Sequence, residues 1–161
     1  MLKRSAGILI YKKDGDDYKV LLCHMGGPYW QHVDFGAWSL PKGIVAKSDG
    51  KIVDAALREF HEETGFSISR EELSFLGSKR QASYKLVTVF TACHDYDASL
   101  ASSNTFVKEW PKNSGCFCQF PEMDRAAWFT FSEAQEKILK GQIYFLQKLQ
   151  RRLDLQGQDN V

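Results

Sequence analysis

The alternation of hydrophobic and polar residues along the chain predicts both strands and helices. Residues 5–11 and 18–25 are rich in apolar side chains and are typical of strands, and the charged, glycine-containing stretch between them favours a hairpin turn. Because Val, Thr, Phe and Tyr are common in sheets, further strands are expected at residues 73–76, 84–93 and 126–131.

Three helices are expected from the periodic spacing of apolar residues. Residues 53–64 follow a helical pattern, and the glycine after them stands where a left-handed C-terminal cap is expected. Ser132 followed by Gln135 matches a capping box that opens a helix to about residue 140. One apolar stripe predicts a third helix at residues 143–155. Strands before and after the first helix predict an α/β fold with a mixed sheet covered by helices.

The length of the chain predicts one domain over its 161 residues, with a soft polar tail from about residue 156. Hydrophobic residues make up 43% and charged residues 25%, so the chain can build a core. Lys and Arg number 21 against 20 Asp and Glu, and the net charge of +1 is too small to draw the whole molecule strongly onto nucleic acid or anionic lipid. Any basic site must therefore be local.

No targeting or membrane segment is expected, because the longest apolar run near the start, residues 6–11, is too short for either. A cytoplasmic protein with reduced thiols is expected, since a core of this size needs no disulfides. Cys116 and Cys118 with His94 suggest a zinc site, but one residue between two cysteines is poor spacing for structural zinc.

The candidate chemistry lies in the first predicted helix. Glu62 and Glu63 lie about 60° to one side and about 40° to the other of Glu59, so three carboxylates share one face. Such like-charge pairs cost an isolated helix about 0.2–0.5 kcal/mol each, and Arg58 can relieve only part of the repulsion. Oxygen ligands of this charge density suit Mg²⁺, which commonly binds through carboxylates together with substrate phosphates. The alternative is an acidic helix face turned to solvent.

The surrounding residues resemble the signature of the Nudix hydrolase family. Arg58-Glu59-Phe60-His61-Glu62-Glu63-Thr64-Gly65-Phe66 matches its second half, and Pro41-Lys42-Gly43 is similar to its usual opening. Further likeness to a bacterial MutT-type subgroup lies in residues 5–9, in the Gly27-Pro28 loop with residues 36–43, and in residues 103–106, 109–111 and 124–129. The resemblance covers nearly the whole chain and implies the Nudix α/β/α sandwich.

Two positions depart from the family pattern. Gly50 stands where the signature has its first Glu, and Gly43 lies one residue too early, so the connecting loop carries an insertion. Asp49 or Asp54 is a candidate replacement for the missing acid. Ile44 occupies a position where the subgroup often has Glu.

The resemblance implies a Mg²⁺-dependent enzyme, with Mn²⁺ as a substitute, that hydrolyses a pyrophosphate linkage in a nucleotide. It implies Glu59, Glu62 and Glu63 as metal ligands. Either Glu62 or Glu59 is expected to act as the general base, and Arg58 to orient the glutamates. His61, at the variable position of the signature, is expected to be structural.

Substrate contacts are expected at residues outside the acidic helix. Lys42, Gly43 and Arg4 are candidates for contact with phosphate. Trp30, on a long loop, and Tyr84, at a strand end, are candidates for stacking on a nucleobase.

Three functions remain open at this point. The first is hydrolysis of a dinucleoside polyphosphate, with diadenosine tetraphosphate as the best candidate by likeness to the subgroup. The second is a nucleoside triphosphate or RNA 5′-end pyrophosphohydrolase, and the third is a non-catalytic nucleotide-binding module, which Gly50 favours. Neither DNA nor a membrane is expected as a partner, and the sequence does not indicate an oligomeric state.

Overall fold

A mixed sheet forms the centre of the protein. The computed structural model describes residues 1–159. The sheet contains seven strands: β1 (Lys3–Asp14), β2 (Asp17–Met25), β3 (Trp38–Ser39), β4 (Lys42–Ile44), β5 (Ser74–Arg80), β6 (Lys85–Cys93) and β9 (Met123–Thr130). A separate two-stranded sheet, which we call the arm, consists of β7 (Thr105–Glu109) and β8 (Phe117–Pro121). The helices are α1 (Ile52–Thr64), α2 (Phe131–Lys137) and α3 (Ile143–Asp159).

The order of the main sheet is β3-β2-β1-β6-β5, with β4 paired to β1 and β9 paired to β2. β1 and β6 run parallel, whereas the other pairs in this sheet are antiparallel. A parallel pair requires a crossover connection, and the connection between β1 and β6 includes α1. The predicted mixed sheet is therefore confirmed.

Helices cover both faces of the sheet because alternate residues of a strand point to opposite sides. Ala6 and Ile8 of β1 pack with Phe60 of α1 in one core. Leu9 of β1 belongs to a second core, which includes Leu149 of α3. The two cores make the α/β/α layering that the family resemblance implied.

The predicted hairpin between the first two strands is confirmed, with a positive φ of 63° at Gly15 in its turn. The first helix is also confirmed, and Gly65 after it adopts the left-handed conformation at φ 76°. Positive φ favours glycine because it has no Cβ, so the residue types of both turns account for their geometry.

The predicted start of the second helix and the predicted end of the third helix were wrong. Helix α2 is capped by Thr130 with Glu133, rather than by Ser132 with Gln135, because β9 ends at Thr130 and the same spacing occurs two residues earlier. Helix α3 continues beyond residue 155 to Asp159, so the tail predicted from residue 156 is helical as far as the structure describes it. Polar residues form an exposed end of an amphipathic helix as readily as a tail.

The sequence did not predict β3, β4, β7 or β8. β3 and β4 are only 2 and 3 residues long, which is too short to show a hydrophobic alternation. Most residues of β7 and β8 are exposed, so these strands lack a buried face that would produce such an alternation. Tyr84 was predicted to begin a strand but lies in the turn between β5 and β6. In the described part of the chain, no helix is both long and apolar enough to cross a membrane.

Candidate functional site

Helix α1 holds its acidic face against the sheet rather than in open solvent. Glu59 and Glu63 are only 9% and 6% exposed. The side chain of Glu62, in contrast, is 38% exposed. Burial of two carboxylates is not expected of a solvated helix face, because an ionised group loses its hydration when buried.

Arg58 joins this acidic face to the loop before the helix. Its Nε and Nη2 each donate to one carboxylate oxygen of Asp49 at 2.9 Å. Its Nη1 donates to Glu59 at 2.9 Å and to Glu62 at 3.2 Å, and Nη2 also donates to the carbonyl of Ile44 at 3.0 Å. The guanidinium therefore fixes the position of two glutamates, which is the geometry that the predicted orienting role requires.

Asp49 is the acid that faces Arg58 at the place where the signature is interrupted. Hydrogen bonds from Arg58 lower the pKa of Asp49 to about 2, so this carboxylate is ionised at neutral pH. Asp54 has a different environment: it accepts a hydrogen bond from the backbone N–H of Lys51 and pairs with Arg70. Of the two candidate replacements, only Asp49 contacts the arginine of the site.

The Lys42-Gly43 pair on β4 lies directly beside the buried glutamates. The backbone N–H of Lys42 donates to Glu63 Oε2 at 3.0 Å. A Cβ at Gly43 would lie 2.0 Å from the Cδ of Glu59, so glycine leaves the space that the Glu59 carboxylate occupies. β4 therefore supports the acids through its backbone.

A fourth carboxylate, Glu122, reaches the site from the turn between β8 and β9, and the sequence did not predict it. The backbone N–H of Glu122 donates to Asn104 O at 2.9 Å, and the N–H of Asn104 donates to Glu62 O at 2.7 Å. Gly26 donates to the carbonyl of Glu122 at 2.8 Å. These contacts link segments far apart in sequence, so no local periodicity indicates them.

The pKa values of the site reflect an excess of negative charge. Burial, and then the charges of Glu59 and Glu122, raise the pKa of Glu63 to about 8, against the hydrogen bond from Lys42. Burial also raises the pKa of Glu59, although Arg58 acts in the opposite direction. Burial and the charge of Glu62 raise the pKa of Glu122. The cluster would thus gain from a bound cation.

The donor set fits a hard divalent cation in ligand type and charge, because carboxylate oxygens are the ligands that Mg²⁺ prefers. Among residues 1–159, however, no three Asp, Glu, His or Cys side chains are grouped around one point as metal ligands. Arg58 engages both Glu59 and Glu62 in this structure.

A cleft of about 380 Å³ opens next to the acids. Glu63 and Glu122 belong to its lining. Most of the remaining lining comes from the loop after β2 and from the arm, and includes Tyr29, Trp30, Phe106 and Lys108. Lys108 Nζ lies 5.0 Å from the centre of the Tyr29 ring. A larger cavity, about 660 Å³, lies between the β1–β2 turn and the end of α3, and none of the four glutamates lines it.

The structure brings only some of the predicted substrate-binding residues to this cleft. Trp30 lines it, whereas Tyr84 is exposed in the β5–β6 turn, and Arg4 is exposed at the start of β1, where its carbonyl accepts from Val45. His61 is exposed and within 3.2 Å of the carbonyl of Phe66, consistent with a structural role.

The four cysteines are free, as expected. Cys23 is buried beneath the site, and burial followed by the charge of Glu63 raises the pKa of its thiol. Cys93, Cys116 and Cys118 are exposed.

Comparison with protein families identifies the class of the protein. The model of the NUDIX domain matches residues 1–149, which is most of the chain. The protein belongs to the NUDIX domain family. No curated protein matches the sequence.

Solved structures share this fold at low sequence identity. The NUDIX domain of Shewanella oneidensis NrtR complexed with ADP ribose is similar, with a TM-score of 0.65, 15% identity, and coverage of 95% of this chain and 89% of that chain. A C. elegans Ap4A hydrolase binary complex is similar with a TM-score of 0.61 and 20% identity, and the alignment covers 95% of this chain and 98% of that chain. A mutT/nudix family protein from Listeria innocua is similar with a TM-score of 0.61 and 16% identity, and the alignment covers 96% of this chain and 95% of that chain.

The family match and the shared fold confirm the predicted Nudix α/β/α sandwich. The bacterial MutT-type subgroup stays a prediction.

Proposed function

We propose that the protein is a Mg²⁺-dependent hydrolase that cleaves a pyrophosphate linkage in a nucleotide, with a dinucleoside polyphosphate such as diadenosine tetraphosphate as its substrate. The observation that carries this proposal is the position of the buried Glu63 and the half-buried Glu122 in a cleft that is also lined by the aromatic rings of Tyr29, Trp30 and Phe106. The similar Ap4A hydrolase, aligned over 98% of its length, supports the choice of substrate. The similar mutT/nudix protein supports assignment to a MutT-type subgroup.

Glu59, Glu62, Glu63 and Glu122 would hold Mg²⁺, or Mn²⁺ in its place. The bound ion would neutralise phosphate charge and lower the pKa of a water molecule. Glu62 or Glu59 accepts a proton from the attacking water, and the greater exposure of Glu62 favours its access to water. Arg58 positions both side chains from its anchor on Asp49.

The cleft supplies the contacts for the nucleoside part of the substrate. Trp30, Tyr29 and Phe106 offer ring faces, and a stacked base contributes about 1–3 kcal/mol. Lys108, on the same wall, is a candidate for contact with the phosphate chain, whereas Lys42 meets the site through its backbone N–H, which donates to Glu63 Oε2.

A substrate panel tests this proposal. We expect mononucleotide release from diadenosine tetraphosphate with Mg²⁺ or Mn²⁺ and none with a chelator. ATP, 5′-triphosphorylated RNA and ADP-ribose form the other arms of the panel. Preference for one of them would contradict the assigned substrate, and binding of these nucleotides without any product would indicate a non-catalytic module.

A pair of variants tests the assignment of the acids. Glu63→Gln should lower turnover at a fixed Mg²⁺ concentration by at least about tenfold, as loss of a metal-site group typically does. Glu136→Gln, at an exposed position of α2, is the matched control and should retain turnover. Equal turnover of the two variants would contradict the role of the site.

A further inference from the structure

The small net charge conceals a strongly uneven distribution of basic residues. Residues 1–13, 73–94 and 137–153 contain lysines and arginines but no Asp or Glu. These segments supply most of β1, all of β5 and β6, and the first part of α3. Neighbouring elements of the fold therefore concentrate positive charge on one region of the surface.

The pairing of the strands puts three lysines on one side of the sheet. Lys3 of β1 lies directly opposite Lys85 of β6, and Lys79 of β5 lies opposite Val87. Val87 is part of the core beneath α3, and residues two apart on a strand share a face. Lys3, Lys79 and Lys85 therefore lie on the α3 side.

Helix α3 and β4 each add a lysine to this group. Lys148 donates to the hydroxyl of Tyr144 at 3.3 Å, and its Nζ and that of Lys79 lie 5.5 Å and 5.0 Å from the centre of the Tyr144 ring. Lys42 of β4 is paired with Gly7 of β1, and a Cβ at Gly7 would lie 2.6 Å from Cβ of Lys42, so Lys42 is on the side of the sheet that Lys3 occupies four residues earlier on β1.

We call this group, Lys3, Lys42, Lys79, Lys85 and Lys148, the lysine face. Within residues 1–159, none of its five members forms an ion pair with a carboxylate within 4.0 Å. Uncompensated ammonium groups on adjacent strands repel one another, and a polyanion would relieve that repulsion.

An exposed aromatic ring stands at the edge of the lysine face. Tyr84, in the β5–β6 turn, is 56% exposed. Gln81 at the start of this turn donates to the carbonyl of Gly141 at 2.8 Å, which holds the turn close to the beginning of α3. Lysines combined with exposed rings are characteristic of surfaces that bind single-stranded nucleic acid, because every unpaired base has a face that can stack.

We propose that the lysine face binds the phosphodiester backbone of single-stranded RNA, with Tyr84 stacking on a base. Unpaired bases are required for stacking, which favours a single strand over a duplex, and most single-stranded polynucleotide in a cell is RNA. A membrane surface fits less well, since lysines and a single exposed ring provide no apolar face to insert.

The lysine face and the acids lie on opposite sides of β4. A Cβ at Gly43 would meet Glu59, whereas one at Gly7 would lie 2.6 Å from Cβ of Lys42, so the two neighbouring residues of β4 face opposite sides. RNA binding on the lysine face is therefore separable from hydrolysis and does not depend on the proposed reaction.

Fluorescence anisotropy with a short, unstructured RNA that carries a 5′ hydroxyl and a 3′ dye tests this proposal, because such a probe contains no pyrophosphate linkage. The triple variant Lys79→Gln, Lys85→Gln and Lys148→Gln should weaken binding at least about tenfold. It should also reduce the slope of log affinity against log salt by about 2, at about 0.7 per lost phosphate contact. Tyr84→Ala should weaken binding about fivefold or more, from the lower value for one stacked base.

A second triple variant, Lys13→Gln, Lys47→Gln and Lys112→Gln, removes the same charge from exposed positions elsewhere and should bind RNA as the unchanged protein does. Equal weakening by both triple variants would overturn the proposal, as would failure of the unchanged protein to bind. Equal affinity for duplex DNA or for anionic phospholipid vesicles would also overturn it. If the first triple variant does not fold, Lys79→Glu at an exposed strand position provides the same comparison.

Discussion

Gly43 and Glu59 show how one residue without a side chain makes room for a buried acid. A Cβ at position 43 would lie 2.0–2.3 Å from the carboxylate atoms of Glu59, and β4 is held in place by its pairing with β1. The carboxylate, as the end of a flexible side chain, is the part that must move.

Gly43→Ala should therefore displace Glu59 and lower turnover by at least about tenfold, as changes next to metal ligands do. Its effect on folding should be smaller, about 1–3 kcal/mol for an overpacked position. Steady-state kinetics and chemical denaturation measure the two effects. Gly157→Ala is the control, because a Cβ there meets no atom within 4 Å and alanine favours the helix. Turnover of Gly43→Ala equal to that of the control would show that Glu59 need not occupy its observed position.

At the scale of elements, the loop before α1 is tied to the acidic face through one ion pair. Asp49 receives two hydrogen bonds from Arg58, and the same guanidinium contacts Glu59 and Glu62. Asp49→Asn should loosen this connection and weaken the apparent affinity for Mg²⁺ about 10–100-fold, with turnover near normal at saturating Mg²⁺. Titration of activity with Mg²⁺ measures the shift, and Asp16→Asn in the exposed β1–β2 turn is the control. An unchanged Mg²⁺ requirement would contradict the coupling.

The arm determines the shape of the cleft, and its two faces allow a matched test. Phe106 lines the cleft, whereas Phe117 is opposite Glu109 on the other face of the arm and is 69% exposed. Phe106→Ala should raise KM for the nucleotide about 5–100-fold and leave kcat nearly unchanged, since a stacking contact is lost in both ground and transition states. Phe117→Ala should leave both constants unchanged. A fall in kcat alone for Phe106→Ala would place this ring in the reaction rather than in base recognition.

These elements also explain which features were predictable from the sequence. Helix α1 and the face shared by Glu59, Glu62 and Glu63 depend on spacing along a few turns, so local periodicity was sufficient. Glu122 reaches the site through hydrogen bonds between backbone segments distant in the chain, and the arm is too exposed to show alternation. Burial of the acids depends on packing of α1 against β4, and that contact cannot be inferred from the sequence of either segment alone.

At the scale of the whole molecule, charge of opposite sign is separated between two regions that meet at β4. The acids of α1 are joined by Glu122 on one side, and the lysine face lies on the other. The net charge of +1 averages these regions and therefore does not describe the field that a ligand meets. Composition alone disfavoured RNA, whereas the arrangement of the strands supports a local site for it.

The same concentration of acids should make the stability of the metal-free protein depend on pH. Glu63 has a pKa of about 8 in the folded protein against an ordinary value of 4.5, so the folded state binds the proton more tightly than the unfolded chain. The stabilisation is complete below about pH 4.5 and is lost as the pH rises through about 8. The melting temperature of metal-free protein should thus be higher at about pH 5.5 than at about pH 8.5.

Glu63→Gln removes the titrating group and should flatten this dependence, whereas Glu136→Gln, exposed on α2, should retain it. Added Mg²⁺ should raise the melting temperature most at the higher pH, because a cation stabilises the ionised carboxylates and binds the folded state preferentially. An equal decline with pH in both variants would assign the effect to other groups. A Mg²⁺ response that persists undiminished in Glu63→Gln would place the cation away from this carboxylate.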